Sequence, residues 1–438
     1  MKKFTTILLL AVILTAPALF AQTPENITSV RFETGFTIRD SVDNIGNQYI
    51  RYSSHHPSVF TFVSNDGSVT VCTSDESAKI TYVYEYSMNL VLQRTLTFTN
   101  EFDMVGAFTK DTEGNYYFFY ASRTTNRNAE NMAVVKYSPQ GNQLNIYKLI
   151  ANAPNSFNGV RVPFDAGTCR LELSGAMLAV YFAREMFNGH QASYGFILDK
   201  DTFQRIDTGA ATNANLQGSV SQIPYASHSF NQFILPVEGG FIFADHGDAY
   251  PRSFTFAKFI RGSRTMRVHA FTFPGSIGAN PTYAEMGGLA KTSTGYIFSG
   301  TYGRINSEPR NVFVLTIDEE MNRCSNPIYL TSYSRNDGHA GHPKLVELDG
   351  GRYLLLWELF SYSTQGANLI TSTRTGYLST FMTVIDAQGN LLTEIRELKD
   401  FRLNMNDVLR YNRHNGKVYW AVNDSNRSIT VYALDVMQ

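Results

Sequence analysis

A glycine motif that recurs seven times along the chain constrains the fold more than any other feature of the sequence. In each copy a glycine follows polar or turn-forming residues and precedes an apolar run rich in aromatic residues. The glycines are Gly67, Gly114, Gly175, Gly240, Gly295, Gly351 and Gly416. Such a repeat indicates one small structural unit used in series, because each unit buries its apolar face only against its neighbours. The mean spacing of about 58 residues exceeds the roughly 40 to 50 of common β-repeats, so we expect the excess in loops.

Each repeat contains four segments with the composition of a β-strand. One segment precedes the glycine, one follows it, and a third follows after a variable polar loop. A turn rich in Asp, Asn, Gly and Ser, such as residues 138–142 or 386–390, then leads to the fourth. β-branched and aromatic residues dominate, and no window sustains a helical period. The sequence therefore predicts seven antiparallel sheets of four short strands.

Seven such units in series resemble a β-propeller, in which each sheet packs face to face on its neighbours around a central channel. The resemblance is one of architecture and covers residues 29–438, without the WD dipeptide or a sialidase-type Asp box. It implies an all-β, seven-bladed β-propeller of four-stranded antiparallel blades. We expect residues 22–438 to form this single domain.

The two ends of the chain predict how the ring closes. The seventh repeat supplies three strand segments and then stops, whereas residues 29–37 form a strand pattern that belongs to no repeat. An unpaired edge strand invites aggregation, and pairing the two ends in one blade removes that edge. We therefore predict that the N-terminal strand is the outer strand of the last blade.

Residues 1–21 have the layout of a secretory signal peptide. Lys2 and Lys3 precede an apolar run over residues 7–14, which is followed by Pro17 and small residues. The run is too short to span a bilayer, and no later segment is apolar enough for a membrane helix. The sequence therefore predicts an exported protein, periplasmic or extracellular, with no transmembrane segment.

Charge and cysteine content exclude some classes of partner. The net charge is -1 without any basic cluster, so a nucleic-acid partner is not expected. The three cysteines are an odd number and have no metal-binding spacing such as CxxC. We expect a monomer that is stabilised by its core rather than by disulfides.

Strand order sorts the loops of a propeller onto two faces. The loop before the first strand of a blade and the loop between its second and third strands lie on the same face. Nearly all long polar insertions in this sequence are of these two kinds, and seven of the nine histidines fall in them. We call this face the loop face and expect any functional site there.

The fourth repeat has the densest group of polar residues on the loop face. Residues 226–231 precede its first strand and residues 244–252 follow its second, so we expect the two segments to meet. Residues 336–343 add two histidines at the corresponding place in the sixth repeat. The candidate ligand-binding residues are His228, Asn231, Asp245, His246, Asp248, Arg252, His339 and His342.

This group of side chains is compatible with three kinds of role. Imidazoles and carboxylates can bind a divalent cation, for which His228, His246 and His342 are the candidate ligands. They can also serve as general acid and base. Alternatively, they are structural hydrogen-bonding groups that satisfy exposed backbone atoms and connect neighbouring blades.

Three functions follow from these alternatives. The first is an exported propeller that binds a glycan, a peptide or a cell-envelope partner at the channel mouth on the loop face. The second is a hydrolase or lyase that acts on polysaccharide or cell-wall material through a histidine and a carboxylate. The third is a structural envelope protein. The sequence has no P-loop, dinucleotide fingerprint, nucleophile elbow or HExxH motif, and a propeller fold alone does not choose among these functions.

Overall fold

A computed structural model describes most of the chain beyond its first 25 residues. The described residues are 26–39, 56–153, 156–164, 167–207, 223, 225–263, 265–279, 282–303, 308–362, 376–405 and 407–436. The predicted signal peptide lies outside them. The described residues contain β-strands, turns and irregular segments but no α-helix. Within these ranges, no helix has the length and apolar character needed to cross a membrane.

The strands follow the sequence repeats, and we name the corresponding strand groups blade 1 to blade 7. The first strand, β1 (Ile27–Glu33), precedes blade 1 along the chain. Blade 1 contains β2 (Val59–Val63), β3 (Val69–Asp75), β4 (Ile80–Tyr86) and β5 (Leu92–Thr99). Blade 2 contains β6 (Met104–Lys110), β7 (Tyr116–Ala121), β8 (Glu130–Tyr137) and β9 (Gln143–Ile150). Blade 3 contains β10 (Val162–Pro163), β11 (Cys169–Ser174), β12 (Met177–Glu185) and β13 (Gln191–Asp199).

The second half of the chain continues in the same way. Blade 4 contains β14 (Ser227–Val237), β15 (Gly240–Ala249), β16 (Ser253–Ile260) and β17 (Met266–Thr272). Blade 5 contains β18 (Ala284–Thr292), β19 (Gly295–Tyr302), β20 (Asn311–Asp318) and β21 (Ile328–Tyr329). Blade 6 contains β22 (His339–Glu347), β23 (Tyr353–Phe360), β24 (Tyr377–Ile385) and β25 (Arg396–Glu397). Blade 7 contains β26 (Arg410–Asn412), β27 (Lys417–Ser425) and β28 (Ser428–Asp435), together with β1.

All pairs of neighbouring strands in these sheets are antiparallel. Five of the sheets have four strands each, and the sixth has eight strands because blades 3 and 4 are joined by one residue pair, Ala192 with Ser227. The predicted all-β propeller of four-stranded antiparallel sheets is therefore confirmed. The inner strands contact one another in the order β2, β6, β11, β14, β18, β22, β26 and again β2. These contacts support the predicted count of seven blades.

The N-terminal strand occupies the outer position of blade 7, beside β28. β1 pairs with β28 from Ile27 opposite Leu434 to Glu33 opposite Ser428. The pairing begins two residues earlier than the predicted strand and ends before Thr34, whose N–H donates to the Arg427 carbonyl instead. The arrangement supports the predicted closure of the ring.

Blade 3 differs from the predicted pattern of four regular strands. Its outer position is occupied by an isolated bridge between Leu198 and Arg205, and the short β10 pairs with β12 instead. A side-chain hydrogen bond takes the place of a backbone bond between strands here, because the Ile197 N–H donates to Asp207 Oδ1 at 3.0 Å. The Arg205 guanidinium is paired with the same carboxylate, with Nη2 2.7 Å from Asp207 Oδ2.

The core is divided among the interfaces between blades. Seven apolar clusters were found among the described residues, one at each junction of neighbouring blades. The junction of blades 7 and 1, for example, packs Val431 and Tyr419 against Val59 and Val71. A closed ring of seven units has seven such interfaces, whereas an open row of seven has six. The three cysteines form no disulfide, and Cys72 and Cys169 are buried.

Candidate functional site

All the candidate residues except Arg252 lie in strands rather than in the loops where we expected them. The sequence placed Asp245, His246 and Asp248 in the loop after the second strand of blade 4, but β15 continues to Ala249. The strand is longer because this segment has backbone partners on both sides, with Gly247 opposite both Ser229 and Ser253. His228 and both histidines of blade 6 likewise fall within β14 and β22, not before them.

Burial follows from this extension of the strands. Of the eight candidates, His228 is the one that remains partly exposed, with 16% of its side-chain surface accessible. The others are buried, with residue exposures of at most 6%: Asn231, Asp245, His246, Asp248, Arg252, His339 and His342. Most of the predicted binding residues are therefore in contact with protein rather than with the solvent of the channel mouth.

Asp245 and Asn231 face blade 3. The Tyr181 hydroxyl donates to Asp245 Oδ2, and the Ser229 hydroxyl donates to Oδ1 at 2.7 Å. Thr168 Oγ1 donates to Asn231 Oδ1 at 3.0 Å. Burial raises the pKa of Asp245 to about 6, although these hydroxyl donors oppose the shift. This group connects blades 3 and 4 and has a carboxyl that titrates near neutral pH.

His246 faces blade 5, because successive side chains of a strand point to opposite sides. Its Nε2 is hydrogen-bonded to Thr282 Oγ1 at 2.7 Å, and its ring packs edge-on against Phe230 and Phe254. Burial lowers the pKa of His246 to about 3, with a further contribution from the positive charge of Arg310. His246 is therefore a neutral imidazole that connects blades 4 and 5.

His228 and Asp248 form the part of the predicted group that reaches the surface. His228 Nδ1 donates to Asp248 Oδ2 at 3.3 Å, and the Arg252 guanidinium contacts the other carboxylate oxygen. Arg252 also donates from Nε and Nη2 to the Pro274 carbonyl, at 3.1 and 3.0 Å. The buried carboxylate thus lies between an imidazole and a guanidinium. The predicted meeting of the two segments of blade 4 is seen at this contact.

Exposed side chains surround His228 on the loop face. The His190 ring stacks on the His228 ring with a centroid distance of 6.0 Å. Tyr250 is 54% exposed and directly follows Ala249, which pairs with the residue before His228. Ile277 is 57% exposed. The next residue, Gly278, lies against His228, because a β-carbon added to this glycine would be 3.5 Å from His228 Cε1. We call His190, His228, Tyr250 and Ile277 the blade 4 rim.

Blade 6 contains a second group, centred on Glu358. His342 Nδ1 donates to Glu358 Oε2 at 2.5 Å, while Arg402 Nε and the Leu403 N–H both donate to Oε1 at 2.8 Å. Burial alone would raise the pKa of Glu358, but Arg402, His342 and the Leu403 N–H outweigh it and lower the pKa to about 2. Glu358 is therefore an ionised carboxylate with three donors, typical of a structural group.

Glu285 links blade 5 to blade 6. Its Oε2 accepts the His342 N–H at 2.7 Å, and its Oε1 is 3.0 Å from Nη1 of the buried Arg310. His339 is fully buried close to this pair, and burial together with Arg310 lowers the pKa of His339 to about 4. His339 is therefore neutral at physiological pH, like His246.

The structure separates the three predicted metal ligands. His228 contacts Asp248, His246 contacts Thr282, and His342 contacts Glu358. In the part of the chain that the structure describes, no group of three or more His, Cys, Asp or Glu side chains is arranged to hold a metal ion. The divalent cation predicted from these histidines therefore has no site among the described residues.

Two charged partners of the candidate groups, Glu358 and Arg310, were not predicted from the sequence. Glu358 lies in the apolar run of β23, and Arg310 lies directly before the apolar strand β20. A charged residue within or beside a buried strand must be paired with an opposite charge. The position of each residue in the sequence was therefore the one sign that it has a charged partner. Nothing in the sequence shows that Arg310 pairs with Glu285, because the two residues lie at the ends of different strands of blade 5, 25 positions apart in the chain.

No model of a known protein family matches the sequence, and no curated protein matches it. Several solved structures resemble the fold. A prolyl endopeptidase is 10% identical with a TM-score of 0.43, and the match covers 86% of this chain but 47%, about half, of that one. An oligogalacturonate lyase in complex with manganese is 8% identical with a TM-score of 0.42, over 87% of this chain and 97% of that one. A protein of unknown function from Dyadobacter fermentans is 8% identical with a TM-score of 0.41, over 76% and 94%.

Proposed function

We propose that this protein is an exported propeller that binds a saccharide of the cell envelope at the blade 4 rim. The observation behind the proposal is a partly exposed imidazole, fixed by a buried carboxylate, with large exposed side chains around it. Ligand sites combine a mostly apolar or aromatic surface with a few precisely placed polar groups. The blade 4 rim has this composition, because the exposed Tyr250 and Ile277 directly adjoin segments that lie next to His228.

The backbone at His228 supports a functional role. His228 has φ +51°, which lies in the left-handed region that non-glycine residues seldom adopt. A register shift follows between Ser229 and Gln232, and such bulges re-aim neighbouring side chains. Strained backbone persists where the surroundings enforce it and is found most often at functional sites.

A saccharide fits the blade 4 rim better than a highly charged ligand does. Two stacked imidazoles and the exposed Tyr250 ring offer flat surfaces on which the apolar face of a sugar ring can pack. The one buried carboxylate behind His228 is already neutralised by Arg252. Peptide and protein partners of the envelope remain the alternative ligands, and the same experiment includes them.

The test is calorimetric titration of the mature protein with a panel of envelope oligosaccharides and peptides. We expect saccharide binding that falls at least tenfold in His228→Ala and in Tyr250→Ala, because each change removes one side of the rim. His414→Ala is the matched control, since His414 lies in the turn between β26 and β27 on the opposite face. Binding that is equal in all three variants would contradict the proposed location, and binding of peptides alone would contradict the saccharide.

The contact between His228 and Asp248 also favours a second candidate function. An imidazole whose Nδ1–H donates to a buried carboxylate has a fixed tautomer and orientation, as a general base requires. In that case the protein is a hydrolase or lyase that acts on the same envelope polysaccharide. Chromatography of oligosaccharides incubated with the protein decides between the two functions. A product that disappears with His228→Ala identifies an enzyme, whereas unchanged substrate identifies a binding protein.

Export is part of the proposal and rests on the sequence of residues 1–21. We propose that the signal peptide is removed after Ala21, so that the mature chain begins at Gln22; cleavage after Ala18 is the alternative. N-terminal sequencing of the protein recovered from the cell envelope or the medium measures this directly. Recovery of the intact chain from the cytoplasm would exclude an envelope saccharide as the ligand.

A further inference from the structure

The outer edges of blades 5 and 6 form an exposed apolar surface that the proposed site does not use. Five large apolar residues lie there, each between 36% and 50% exposed. They are Ile328 and Tyr329 in β21, and Leu391, Leu392 and Ile395 in the segment between β24 and β25. We call these five residues the blade 5–6 edge. Large exposed apolar patches are uncommon on monomeric proteins and mark sites of contact with other molecules.

The blade 5–6 edge is continuous with the core between the two blades. Ile328 pairs with Val314, and Leu391 forms a bridge with Ile385. Val314 and Ile385 both belong to the apolar cluster at this junction. Residues directly opposite each other in antiparallel strands lie on the same side of a sheet, so Ile328 and Leu391 extend this cluster to the surface. A β-carbon added to Gly389 would be 3.5 Å from Ile328 Cδ1, so the turn before Leu391 lies against β21.

Two charged side chains of the same segment have no opposite charge beside them. Glu394 and Arg396 are both exposed. Neither makes an ion pair within the ranges that the structure describes, although a single residue separates them in the chain. The segment therefore offers one free charge of each sign next to exposed apolar side chains.

Outer strands of other blades have their charges paired within the same blade. Arg94 in β5 of blade 1 places Nη2 2.7 Å from Glu85 Oε2. Arg31 in β1 places Nε 3.1 Å from Asp424 Oδ2 of blade 7. The free charges of blade 6 therefore distinguish its edge from these two.

The order of the charges fits a contact between two copies of this chain. In a two-fold dimer the same surface of both copies meets, so if one residue contacts a second residue across the interface, the second also contacts the first. An axis beside Ile395 brings Glu394 to Arg396 of the partner subunit, and this ion pair forms twice. An axis beside Glu394 or beside Arg396 would instead bring like charges together, which is unfavourable.

We propose that the blade 5–6 edge joins two copies of this chain into a symmetric homodimer whose two-fold axis passes beside Ile395. The apolar side chains form the centre of the contact, and Glu394 and Arg396 form ion pairs at its rim. Side chains make the contact rather than extended backbone pairing, because β25 has only two residues. The dimer replaces the monomer that was expected from the sequence.

The test is analytical ultracentrifugation of the mature protein over a concentration series from nanomolar to high micromolar. We expect the mass of two chains at high concentration and of one chain at low concentration. Arg396→Glu should raise the dissociation constant of the dimer at least tenfold, because it creates two contacts between like charges. Adding Glu394→Arg to this variant should restore the dimer, since exchanging the two charges keeps each pair complementary. A double variant as weak as Arg396→Glu would contradict the proposed axis.

A matched pair of apolar variants locates the contact. Leu391→Glu should abolish the dimer, whereas Leu144→Glu should keep it, because Leu144 is 54% exposed but lies in β9 of blade 2. Equal dimerisation of both variants would place the contact elsewhere and overturn the proposal. A wild-type protein that remains monomeric would also overturn it, since the edge would then need a partner other than this chain. His228→Ala should form dimers like the wild type, so this result is independent of ligand binding at the blade 4 rim.

Discussion

Replacing Glu358 by glutamine removes one negative charge from the most completely enclosed ion pair of blade 6. The carboxylate is fully buried, and it accepts hydrogen bonds from His342, Arg402 and the Leu403 N–H. Glutamine keeps the size of the side chain but can accept at one oxygen only. The change therefore removes the charge together with one acceptor, with little change in packing volume.

The size of the effect follows from the pKa of Glu358. The pKa falls from the ordinary 4.5 to about 2, a difference of about 2.5 units, and each unit corresponds to about 1.4 kcal/mol. The ionised carboxylate thus contributes about 3 kcal/mol to the free energy of unfolding at pH 7, which agrees with the range for breaking a buried ion pair. Because the folded-state pKa is depressed, this stability is present above about pH 4.5 and is lost as the pH falls towards 2.

Urea denaturation of the wild-type protein and Glu358→Gln at pH 7 and pH 3.5 measures this dependence. We expect a difference of about 3 kcal/mol at pH 7 and about 2 kcal/mol at pH 3.5. The control is Glu397→Gln in the exposed strand β25 of the same blade, which should change stability by less than about 0.5 kcal/mol. A difference at pH 7 below 1 kcal/mol, or one that does not shrink in acid, would refute the argument.

Three further predictions concern blade 4 and the closing strand. Burial raises the pKa of Asp245 from 3.8 to about 6, so the wild-type protein should lose stability as the pH rises from 4 to 7. The free energy of unfolding of Asp245→Asn, measured by urea denaturation, should therefore rise relative to that of the wild type by up to about 3 kcal/mol over this range. Because the pKa of His246 is lowered from 6.5 to about 3, the wild-type protein loses about 2 kcal/mol of stability as the pH falls from 6.5 to 4.5; His246→Gln should lack this loss, and parallel curves of stability against pH would contradict the argument. A chain that begins at Thr34 should melt at a lower temperature or aggregate, whereas one that begins at Asn26 should not; equal melting curves would exclude closure by β1.

The repeat architecture was predictable because it depends on local patterns. A glycine turn between two apolar runs specifies a hairpin wherever it occurs, so Gly114 and Gly416 identify their strands without any knowledge of the remaining chain. The unassigned strand near the N-terminus was also predictable, because the last repeat lacked one strand. Its bounds were less accurate, since Ile27 and Thr28 pair with β28 although they lie before the apolar pattern.

The candidate site was only partly predictable, because its contacts are made between blades. The contact of His228 with Asp248 lies within blade 4 and followed from strand order. Asp245 and His246 are adjacent in sequence yet contact blades 3 and 5 respectively, and that division depends on the exact end of β15. Backbone bonds from Ser229 and Ser253 extend this strand, and no composition rule anticipates them.

The position of β1 has a consequence for how the protein is made. Asn26 Nδ2 donates to the Asp435 carbonyl, 409 positions later in the chain. The N-terminal strand β1 is therefore synthesised long before its partner β28. Closing a loop of that length costs about 5 kcal/mol of chain entropy, which the pairing of β1 with β28 has to offset. During synthesis the nascent chain therefore holds an exposed strand until its final residues emerge. Until β28 is made, the edge that β1 presents is open to pairing with other chains.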